Sequence, residues 1–501
     1  MNTKLSKSEC IKLAVVILCI GLLVIFFGFR KVNFHVDEVW NYGLANNVGS
    51  IVPSIDYGKE YSGMGPFQTY LTVQPGERFN YVNVWKNQAD DVHPPLSYVF
   101  LHTICSLFPN TFSIWYGIGI NLLWMAITIV LLYKLAKEIF RDEFTAFAFV
   151  LCYGTTVLFL DSVIFIRMYA LFNMFAVSFA YLVKLYWDKP LDKKFYILSG
   201  LNLILGVFSH YYFLIYAFLV CGLFCINLIM RKEYKMLKTS IISFLGAGIL
   251  YILLWYHILG HLFRGSRGKQ AIGQAASLGG IKGIIGMFGL MDASVFSMLM
   301  TIFAVCTAII LFQKRKAKEA IWSYKFALGI AGIAYVIIVG KIAPFVTIRY
   351  IMAVGFAFMI VGFIVGLKVL QKKFSYLKSV KILLGLFLVL NILNYGARGF
   401  YLPDDHYNPS LNVVFDEVKD KKLVEYVSED WEMMSFFKVL TSAKTYAFIN
   451  EDNADEYMGK QNEEYVLLLR EQDVDELFPD LNYDVITSYD TVAYYLVHPE
   501  K

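Results

Sequence analysis

The sequence contains few charged residues for its length. Of 501 residues, 17% are charged and 57% are apolar, whereas a soluble protein carries roughly 25% charged residues. A soluble fold cannot keep so much apolar surface away from water, so this composition excludes an ordinary soluble globular protein. The 42 Phe and 34 Tyr residues are typical of surfaces that face lipid and its interface. The composition therefore predicts a membrane protein.

Several motifs of soluble enzymes are also missing. The sequence has no CxxC pair, no HExxH, no phosphate-binding P-loop and no nucleic-acid signature. Its seven cysteines lie in or beside apolar runs, so no disulfide framework is expected in the last part of the chain. Cys221 and Cys225 share a helix face, where packing explains them better than metal binding. No metal site and no nucleic-acid partner are predicted, although the sequence leaves a requirement for a divalent metal open.

Apolar runs long enough to cross about 30 Å of hydrocarbon occur eleven times. They lie near residues 13–29, 111–133, 144–160, 163–183, 195–210, 211–230, 239–259, 294–312, 324–341, 350–368 and 380–397. The first run lacks a small-x-small cleavage site, so it is predicted to be an uncleaved anchor. Runs 195–210 and 211–230 must form a tight hairpin. The fold class expected is a polytopic α-helical membrane protein.

Basic residues alternate in density between the loops. If the N-terminus is cytoplasmic, the inside segments hold 24 Lys and Arg residues, and the short outside connections hold only Arg167, Lys341 and Arg349. This is the bias expected when positive charges stay inside. The C-terminus is then extracytoplasmic, and three large pieces lie outside, at roughly 30–110, 260–293 and 398–501.

The last fifth of the chain has a different charge from the rest. Residues 398–501 contain 23 acidic and 9 basic residues, a balance of −14, whereas residues 1–397 carry +19. Stretches 422–427, 464–469 and 492–497 have the composition of strands, with helical stretches between them, as around 473–477. We therefore predict a membrane domain at 1–397 and an acidic outside α/β domain at 398–501.

The first outside piece opens with adjacent carboxylates, Asp37 and Glu38. A solvated helix start would explain them, because acidic residues there favour the helix dipole. The next stretch, 39–45, predicts a short amphipathic helix on the membrane surface, which would hold the pair at the interface, facing a cavity. A carboxylate in that position can accept a proton from an attacking group.

The same piece closes with Asp91-Val92-His93-Pro94-Pro95-Leu96. Tandem prolines start a helix at its first turn, where missing N–H groups do no harm. The motif therefore either marks where the chain re-enters the membrane or provides a rigid backbone that positions His93 to bind a phosphate oxygen.

Two arginines lie at predicted outer helix starts. Arg167 begins the RMYAL stretch that contains Tyr169, and follows Asp161; Arg349 precedes Tyr350. Ionisable groups at membrane depth are costly, which favours a functional role. Snorkelling to the interface explains each arginine alone equally well.

The order of these motifs resembles the integral-membrane glycosyltransferases of the GT-C fold. The resemblance is to the protein O-mannosyltransferases (glycosyltransferase family 39) and the bacterial RgtA/B/C/D-like enzymes, over roughly residues 10–400. It implies a sugar donor carried on polyprenyl phosphate and inversion of the anomeric centre in one displacement. It also implies that Asp37 is the general base and Glu38 its helper. The chain lacks the MIR repeats of eukaryotic members, so the acceptor is left open between a glycolipid, a wall polymer and a protein.

A lipid-phosphate leaving group needs fixed cations and hydrogen-bond donors. Candidates for binding donor phosphate or substrate are Asp91, His93, Arg167, Tyr169, His210, Tyr211, Lys341, Arg349 and Tyr350. The stretch 210–212 is equally explained as an aromatic interfacial anchor. The stretch 260–289, with nine glycines and several basic residues, is either a lid over the donor or a flexible connection. No cofactor beyond the donor is expected.

A multi-spanning transporter or a flippase for lipid-linked saccharides is the competing function. Transporters concentrate ionisable residues near the membrane midplane and often contain internal repeats. Here the charges lie at the outer interface and no repeat is seen between the halves, which favours the enzyme. The resemblance implies a bacterial plasma membrane, and the oligomeric state is not indicated.

Overall fold

The computed structural model of the protein describes residues 5–276, 280–316, 321–403 and 410–499. Small parts of the predicted outside pieces, 277–279, 404–409 and 500–501, lie outside the described residues. The helices are α1 (Lys7–Arg30), α2 (Val36–Asn46), α3 (Phe67–Leu71), α4 (Tyr81–Asp90), α5 (Leu96–Leu107), α6 (Ile114–Phe140), α7 (Glu143–Gly154), α8 (Val157–Ile164), α9 (Tyr169–Tyr186), α10 (Lys193–Ser209), α11 (Tyr212–Met230), α12 (Tyr234–Leu254), α13 (His257–Phe263), α14 (Ser266–Ala276), α15 (Gly280–Met291), α16 (Met300–Lys316), α17 (Tyr324–Ile342), α18 (Gly355–Leu370), α19 (Tyr376–Ala397), α20 (Leu411–Val418), α21 (Glu432–Ser435), α22 (Phe437–Leu440), α23 (Ala454–Met458) and α24 (Val474–Leu477). The strands are β1 (Glu60–Tyr61), β2 (Lys422–Tyr426), β3 (Thr445–Ile449), β4 (Tyr465–Arg470), β5 (Tyr483–Tyr489) and β6 (Val492–Val497). Short 3-10 segments lie at Pro75–Glu77 and Ile348–Val354, and a π-helical turn at Asp292–Phe296.

Two compact units make up the fold. Unit 1 consists of Met1–Phe29, Ala89–Ser97 and Gly117–Leu402, and unit 2 of Arg30–Gln88, Tyr98–Tyr116 and Pro403–Lys501. Unit 1 contains the long apolar helices. Unit 2 groups most of the first predicted outside piece with the acidic C-terminal residues, so the units do not follow a single division at residue 397.

The described helices confirm a multi-pass membrane protein. Eight are long and apolar enough to cross a membrane, or up to ten if each of two bent helix pairs is one span. Two of the eleven predicted runs correspond to the shorter helices α10 and α16, which have 17 residues each, about 25 Å of helix at 1.5 Å per residue. The predicted hairpin is confirmed, since α10 ends at Ser209 and α11 begins at Tyr212.

One bent pair is α7 and α8, which meet at 62°. A break in apolar surroundings leaves backbone carbonyls without their helical partners, which is costly unless side chains replace them. Tyr395 and Asn391 of α19 do so, because the Tyr395 hydroxyl donates to the Thr155 carbonyl and the Asn391 amide to the Cys152 carbonyl. The break is therefore stabilised by a neighbouring helix.

The glycine-rich stretch predicted as an outside loop is largely helical in the structure. It forms α13, α14 and α15, and α15 packs closely on α17. A Cβ at Gly283 would collide with the backbone oxygen of Gly340, and a Cβ at Gly286 would lie 2.7 Å from Val346. Small residues spaced along one face let two helix backbones approach closely in a membrane. Glycine serves helix packing here, which composition alone could not distinguish from loop flexibility.

Unit 2 contains a six-stranded sheet in the order β1-β3-β2-β4-β6-β5. The three strands predicted from sequence correspond to β2, β4 and β6, and α24 lies in the stretch expected to be helical. Strands β2, β3 and β4 are mutually parallel, and β1 pairs antiparallel with β3. Since β1 comes from the first outside piece, that piece contributes an edge strand to the C-terminal sheet.

Helix α2 is buried in unit 2. From Glu38 to Asn46 only Trp40 is not buried, and α2 contacts α21 and α3. Just before it, the Phe34 ring packs edge-on against Phe437 at a centroid distance of 5.5 Å. The short helix predicted at 39–45 is confirmed, but it is buried along nearly its whole length, so it does not have the broad exposed polar face of a surface helix.

The close packing of α15 on α17 can be tested with two glycines of the same helix. Gly283→Ala is expected to lower the melting temperature, because overpacking against the Gly340 backbone costs about 1–3 kcal/mol. Gly289→Ala meets no described atom within 4 Å and should be neutral or stabilising, since alanine favours a helix by about 1 kcal/mol. Thermal unfolding of the purified protein measures both, and equal melting temperatures would contradict the packing.

Candidate active site

The acidic pair lies at the start of α2, where His35 is the N-cap. The Nδ1 atom of His35 accepts from the Asp37 backbone N–H at 2.9 Å, and the Glu38 carboxylate accepts from the His35 backbone N–H at 2.9 Å. This reciprocal arrangement is a capping box, which satisfies donors that a helix start leaves without partners. The local sequence therefore fixes the Glu38 carboxylate and the backbone of Asp37.

The two carboxylates have different surroundings. Glu38 is fully buried, and its Oε2 lies 3.0 Å from Nζ of the equally buried Lys31. The Asp37 side chain keeps 24% of its exposure and lies 3.7 Å from His35 Nδ1. A buried charge needs its partner, so Glu38 is committed to holding the helix start, whereas Asp37 stays accessible to an incoming molecule.

Asn41 lies one helical turn after Asp37 on the same face of α2, and sequence reasoning missed it. It is buried, and its Oδ1 has no hydrogen-bond partner among the described residues. Buried polar atoms are usually hydrogen-bonded, so this acceptor is a candidate contact for a substrate hydroxyl. The only signal in the sequence was a polar residue four positions after Asp37 in an otherwise apolar helix.

In unit 1 the HPP motif is linked to the first predicted arginine. Arg167 NH2 lies 3.3 Å from His93 Nε2, and His93 Nδ1 lies 2.8 Å from Asp91 Oδ2. A guanidinium only donates hydrogen bonds, so His93 Nε2 accepts and Nδ1 carries the proton that it donates to Asp91. The three side chains form one chain of hydrogen bonds, here called the histidine relay.

Asp91 is a carboxylate in this relay. Burial alone would raise its pKa, but His93 and Arg167 outweigh that effect and hold the pKa of Asp91 below its ordinary value. An opposite charge within reach favours the ionised form. The relay therefore combines an anion at one end with a permanent cation at the other, and His93 is held in one orientation between them.

Arg167 sits in a break between α8 and α9 that another side chain stabilises. The Asn121 amide of α6 donates to the carbonyl oxygens of Val163 and Phe165, each at 3.0 Å. These hydrogen bonds satisfy backbone groups that the break exposes. Asn121 was not singled out from sequence, because a lone asparagine in an apolar helix gives no indication of its partner.

His210 joins the same region of unit 1. Its ring centroid lies 6.3 Å from that of His93 and 5.4 Å from that of Tyr169, and it stacks on Phe172 at 5.2 Å with nearly parallel planes. The imidazole is thus held in place by aromatic packing. The structure places His210 and Tyr169 beside the histidine relay.

Arg349 and Tyr350 approach from the segment before α18. The Arg349 guanidinium lies 5.5 Å from the centroid of the Phe165 ring. Tyr350 packs edge-on against Tyr212, and the Tyr212 ring centroid lies 5.1 Å from that of His210. Cation–π contact orients a guanidinium without neutralising it. Arg349 therefore lies beside the same break that carries Arg167.

The two remaining candidates have other contacts. The Tyr211 hydroxyl lies 2.7 Å from His261 Nδ1, and His261 Nε2 lies 3.0 Å from the Ala89 carbonyl oxygen, so this pair contacts the last turn of α4, just before Asp91. Lys341 lies in the last turn of α17, where its side chain packs over Gly280 at the start of α15. Tyr211 thus contacts the relay only indirectly, through His261 and the end of α4. Lys341 packs on α15 and is not part of the group around the relay.

Taken together, unit 1 presents arginine, histidine and tyrosine donors around one break in its helices. Such a set suits the charge-assisted binding of a phosphate group. Among the described residues, no group of three His, Cys, Asp or Glu side chains is placed to hold a metal ion. Unit 2 presents the accessible carboxylate of Asp37, which suits proton transfer.

The sequence of this region matches a known family. Residues 92–259 match the dolichyl-phosphate-mannose-protein mannosyltransferase family, over roughly a third of the chain. The matched segment contains His93, Arg167, Tyr169, His210 and Tyr211. No protein of curated function matches the sequence.

Two solved structures have a similar fold. ArnT from Cupriavidus metallidurans bound to undecaprenyl phosphate superposes with a TM-score of 0.54 at 10% identity, over 97% of each chain. The archaeal oligosaccharyltransferase AglB from Archaeoglobus fulgidus, in complex with an inhibitory peptide and a dolichol-phosphate, gives 0.51 at 11% identity, over 94% of this chain and 70% of that one. These superpositions show the fold, that of a multi-pass membrane protein with the GT-C architecture. The matched segment is similar to the protein mannosyltransferases, as the motifs predicted.

The buried ion pair beneath Asp37 can be tested by stability. Lys31→Met leaves the Glu38 charge without its ammonium partner and is expected to lower the free energy of unfolding by about 3–5 kcal/mol. The double variant Lys31→Met/Glu38→Gln should recover much of that loss. Lys59→Met, which removes an exposed pair with Asp56, should leave the melting temperature almost unchanged, because solvent screens exposed ion pairs. Thermal unfolding distinguishes them, and equal effects at Lys31 and Lys59 would contradict the buried pair.

Proposed function

We propose that this protein is an inverting glycosyltransferase that uses a sugar carried on polyprenyl phosphate. The acceptor is a glycolipid, a cell-wall polymer or a protein on the outer face of the membrane. The observation that carries the proposal is the histidine relay, in which Asp91 and His93 orient Arg167 at a helix break inside an apolar unit. The Arg349 guanidinium lies over the Phe165 ring of the same break, and two guanidinium groups at one site suit the phosphate of a lipid carrier.

The donor phosphate is bound in this proposal by Arg167 and Arg349, with His210 and the tyrosines around them. Leaving-group charge develops on the phosphate as the bond to the anomeric carbon breaks, and fixed donors stabilise that charge. The structures of ArnT and AglB similar to this chain were determined with undecaprenyl phosphate and dolichol-phosphate, respectively, which supports a polyprenyl carrier here.

Asp37 acts as the general base on the acceptor. It takes the proton of the attacking hydroxyl or amide while the acceptor atom bonds to the anomeric carbon, and the lipid phosphate leaves with the electron pair. Glu38, buried and paired with Lys31, helps by fixing the helix start. Asn41 lies on the same helix face and offers an oxygen to an acceptor hydroxyl. The steps need no nucleotide and no cofactor beyond the donor.

The membrane orientation in this proposal follows the distribution of basic residues. With the N-terminus in the cytoplasm, 24 Lys and Arg residues lie in inside segments, as the positive-inside rule requires. Unit 2 then lies outside a bacterial plasma membrane. The histidine relay and Asp37 act from that side.

One experiment tests both chemistry and orientation. Sealed vesicles of known sidedness carry the protein and a radiolabelled undecaprenyl-phosphate sugar, and a cell-envelope extract that cannot cross the membrane is added outside. Label should enter the extract only in vesicles whose former outer face is exposed. Transfer only in inverted vesicles would overturn the orientation. Movement of lipid across the bilayer without transfer would favour the flippase.

Loss of the base is the sharpest chemical test. Asp37→Asn is expected to lower kcat by about 10²–10⁴-fold, the typical contribution of a general base, with KM for the donor unchanged. Asp56→Asn removes an exposed carboxylate of the same unit and should leave the rate unchanged. Full transfer by Asp37→Asn would rule out Asp37 as the base.

The phosphate site is tested by removing its cation. Arg167→Gln is expected to lower the transfer rate by about 10²–10³-fold, comparable to losing one donor to a developing charge. Lys235→Gln, an exposed cation of the same unit, should behave as wild type. Steady-state kinetics with varied donor lipid measures the rates of both variants. Equal transfer rates for the two variants would show that Arg167 does not bind the donor.

A further inference from the structure

The C-terminal sheet has a topological switch point. Parallel strands β3, β2 and β4 lie side by side with β2 in the middle, so the chain leaves β2 for one neighbour and later returns to the other. The connection from β2 to β3 contains α21 and α22, and that from β3 to β4 contains α23. In open α/β sheets, ligands bind in the crevice at the carboxyl ends of strands at such a point.

The two connections cover opposite faces of the sheet. Ala454 and Tyr457 of α23 pack in one core with Val424 and Leu467. Side chains alternate along a strand, so Glu425 points to the other face, towards α21. A crevice between β2 and β4 at their carboxyl ends is the geometry that a switch point produces.

A buried acid lies one residue before the carboxyl end of β2, at this switch point. Glu425 is 1% exposed, and neither of its carboxylate oxygens has a hydrogen-bond partner among the described residues. Burial, with the nearby Glu432 charge, raises the pKa of Glu425 well above its ordinary value, and Arg470 only partly offsets this. This shift favours the protonated form of Glu425, which donates one hydrogen bond and accepts another.

The rim of the crevice combines an aromatic ring with hydrogen-bonding groups. The Arg470 guanidinium lies 4.5 Å from the centroid of the partly exposed Trp431 ring. The exposed side chains of Gln472 and Ser428 lie 3.4 Å apart across the loops that follow β4 and β2. An indole face with polar groups beside it can pack against the apolar face of a sugar ring while its hydroxyls are hydrogen-bonded.

Anions are excluded from this crevice. Switch points that bind phosphate use free backbone N–H groups at a glycine-rich turn, but here the Glu432 carboxylate accepts from the N–H groups of Ser428 and Glu429, at 2.9 and 3.1 Å. Asp430 adds another charge, and its Oδ1 accepts from the Tyr57 hydroxyl at 3.3 Å. Burial and the surrounding carboxylates raise the pKa of Tyr57 to about 12, so this hydroxyl stays protonated.

We propose that the crevice at the carboxyl ends of β2 and β4 binds a neutral or amine-bearing saccharide, which stacks on Trp431 and hydrogen-bonds to Glu425 and Arg470. This site is separate from the residues assigned to transfer. It does not rest on the proposed function, because saccharide binding is measured without a donor lipid. Its failure and the failure of transfer are therefore distinguishable.

The test is calorimetric titration of the full-length protein in lipid nanodiscs. The probes are methyl glucoside, glucosamine, glucuronate and tetralysine. Methyl glucoside and glucosamine are expected to bind, and glucuronate is not. Binding of none of the sugars, preference for glucuronate, or binding of tetralysine alone would overturn the proposal, the last outcome indicating a peptide site.

Variants locate the binding within the crevice. Trp431→Ala and Arg470→Gln should each weaken binding by about tenfold, equivalent to about 1.4 kcal/mol. Glu425→Gln keeps a neutral donor and acceptor and should bind as wild type, whereas Glu425→Leu should not bind. Lys460→Gln removes a cation ahead of the amino end of β4 and serves as the charge-matched control. Thermal unfolding verifies that each variant is folded, and wild-type binding by Trp431→Ala would rule the site out.

Discussion

In hydrocarbon, a backbone carbonyl without a donor costs several kcal/mol, and the candidate phosphate site depends on how this protein avoids that cost. Unit 1 breaks its helices twice in succession, between α7 and α8 and between α8 and α9. Asn391 and Tyr395 satisfy the first break, and Asn121 satisfies the second. Because the second break is stabilised, the chain can place Arg167 where a continuous helix would have carried an apolar residue.

Both units solve the problem of a buried charge in the same way. In unit 2 Lys31 neutralises Glu38, and in unit 1 His93 links Asp91 to Arg167. Pairing offsets part of the desolvation cost of burying each of these charges. As a consequence, the two carboxylates at the start of α2 have different roles. Glu38 fixes the helix start, and Asp37 stays accessible for chemistry.

Unit 2 is not simply a C-terminal appendage. The first outside piece contributes β1 to the C-terminal sheet, and α2 packs against α21. The first outside piece and the C-terminal residues therefore share one sheet and one set of helix contacts. This packing gives the acidic C-terminal residues a structural reason to accompany the candidate base.

The sequence alone determined the membrane class, three of the strands, the helix starts after the HPP and arginine motifs, and the residues around the histidine relay. These features follow from composition, periodicity and local capping, which are readable within a short window. The pairing of Lys31 with Glu38, the role of Asn121, and the addition of β1 to β3 were decided only by the tertiary structure. So was the helical state of the glycine-rich stretch. Each depends on which distant residues meet or on where a helix ends, and no local pattern encodes that.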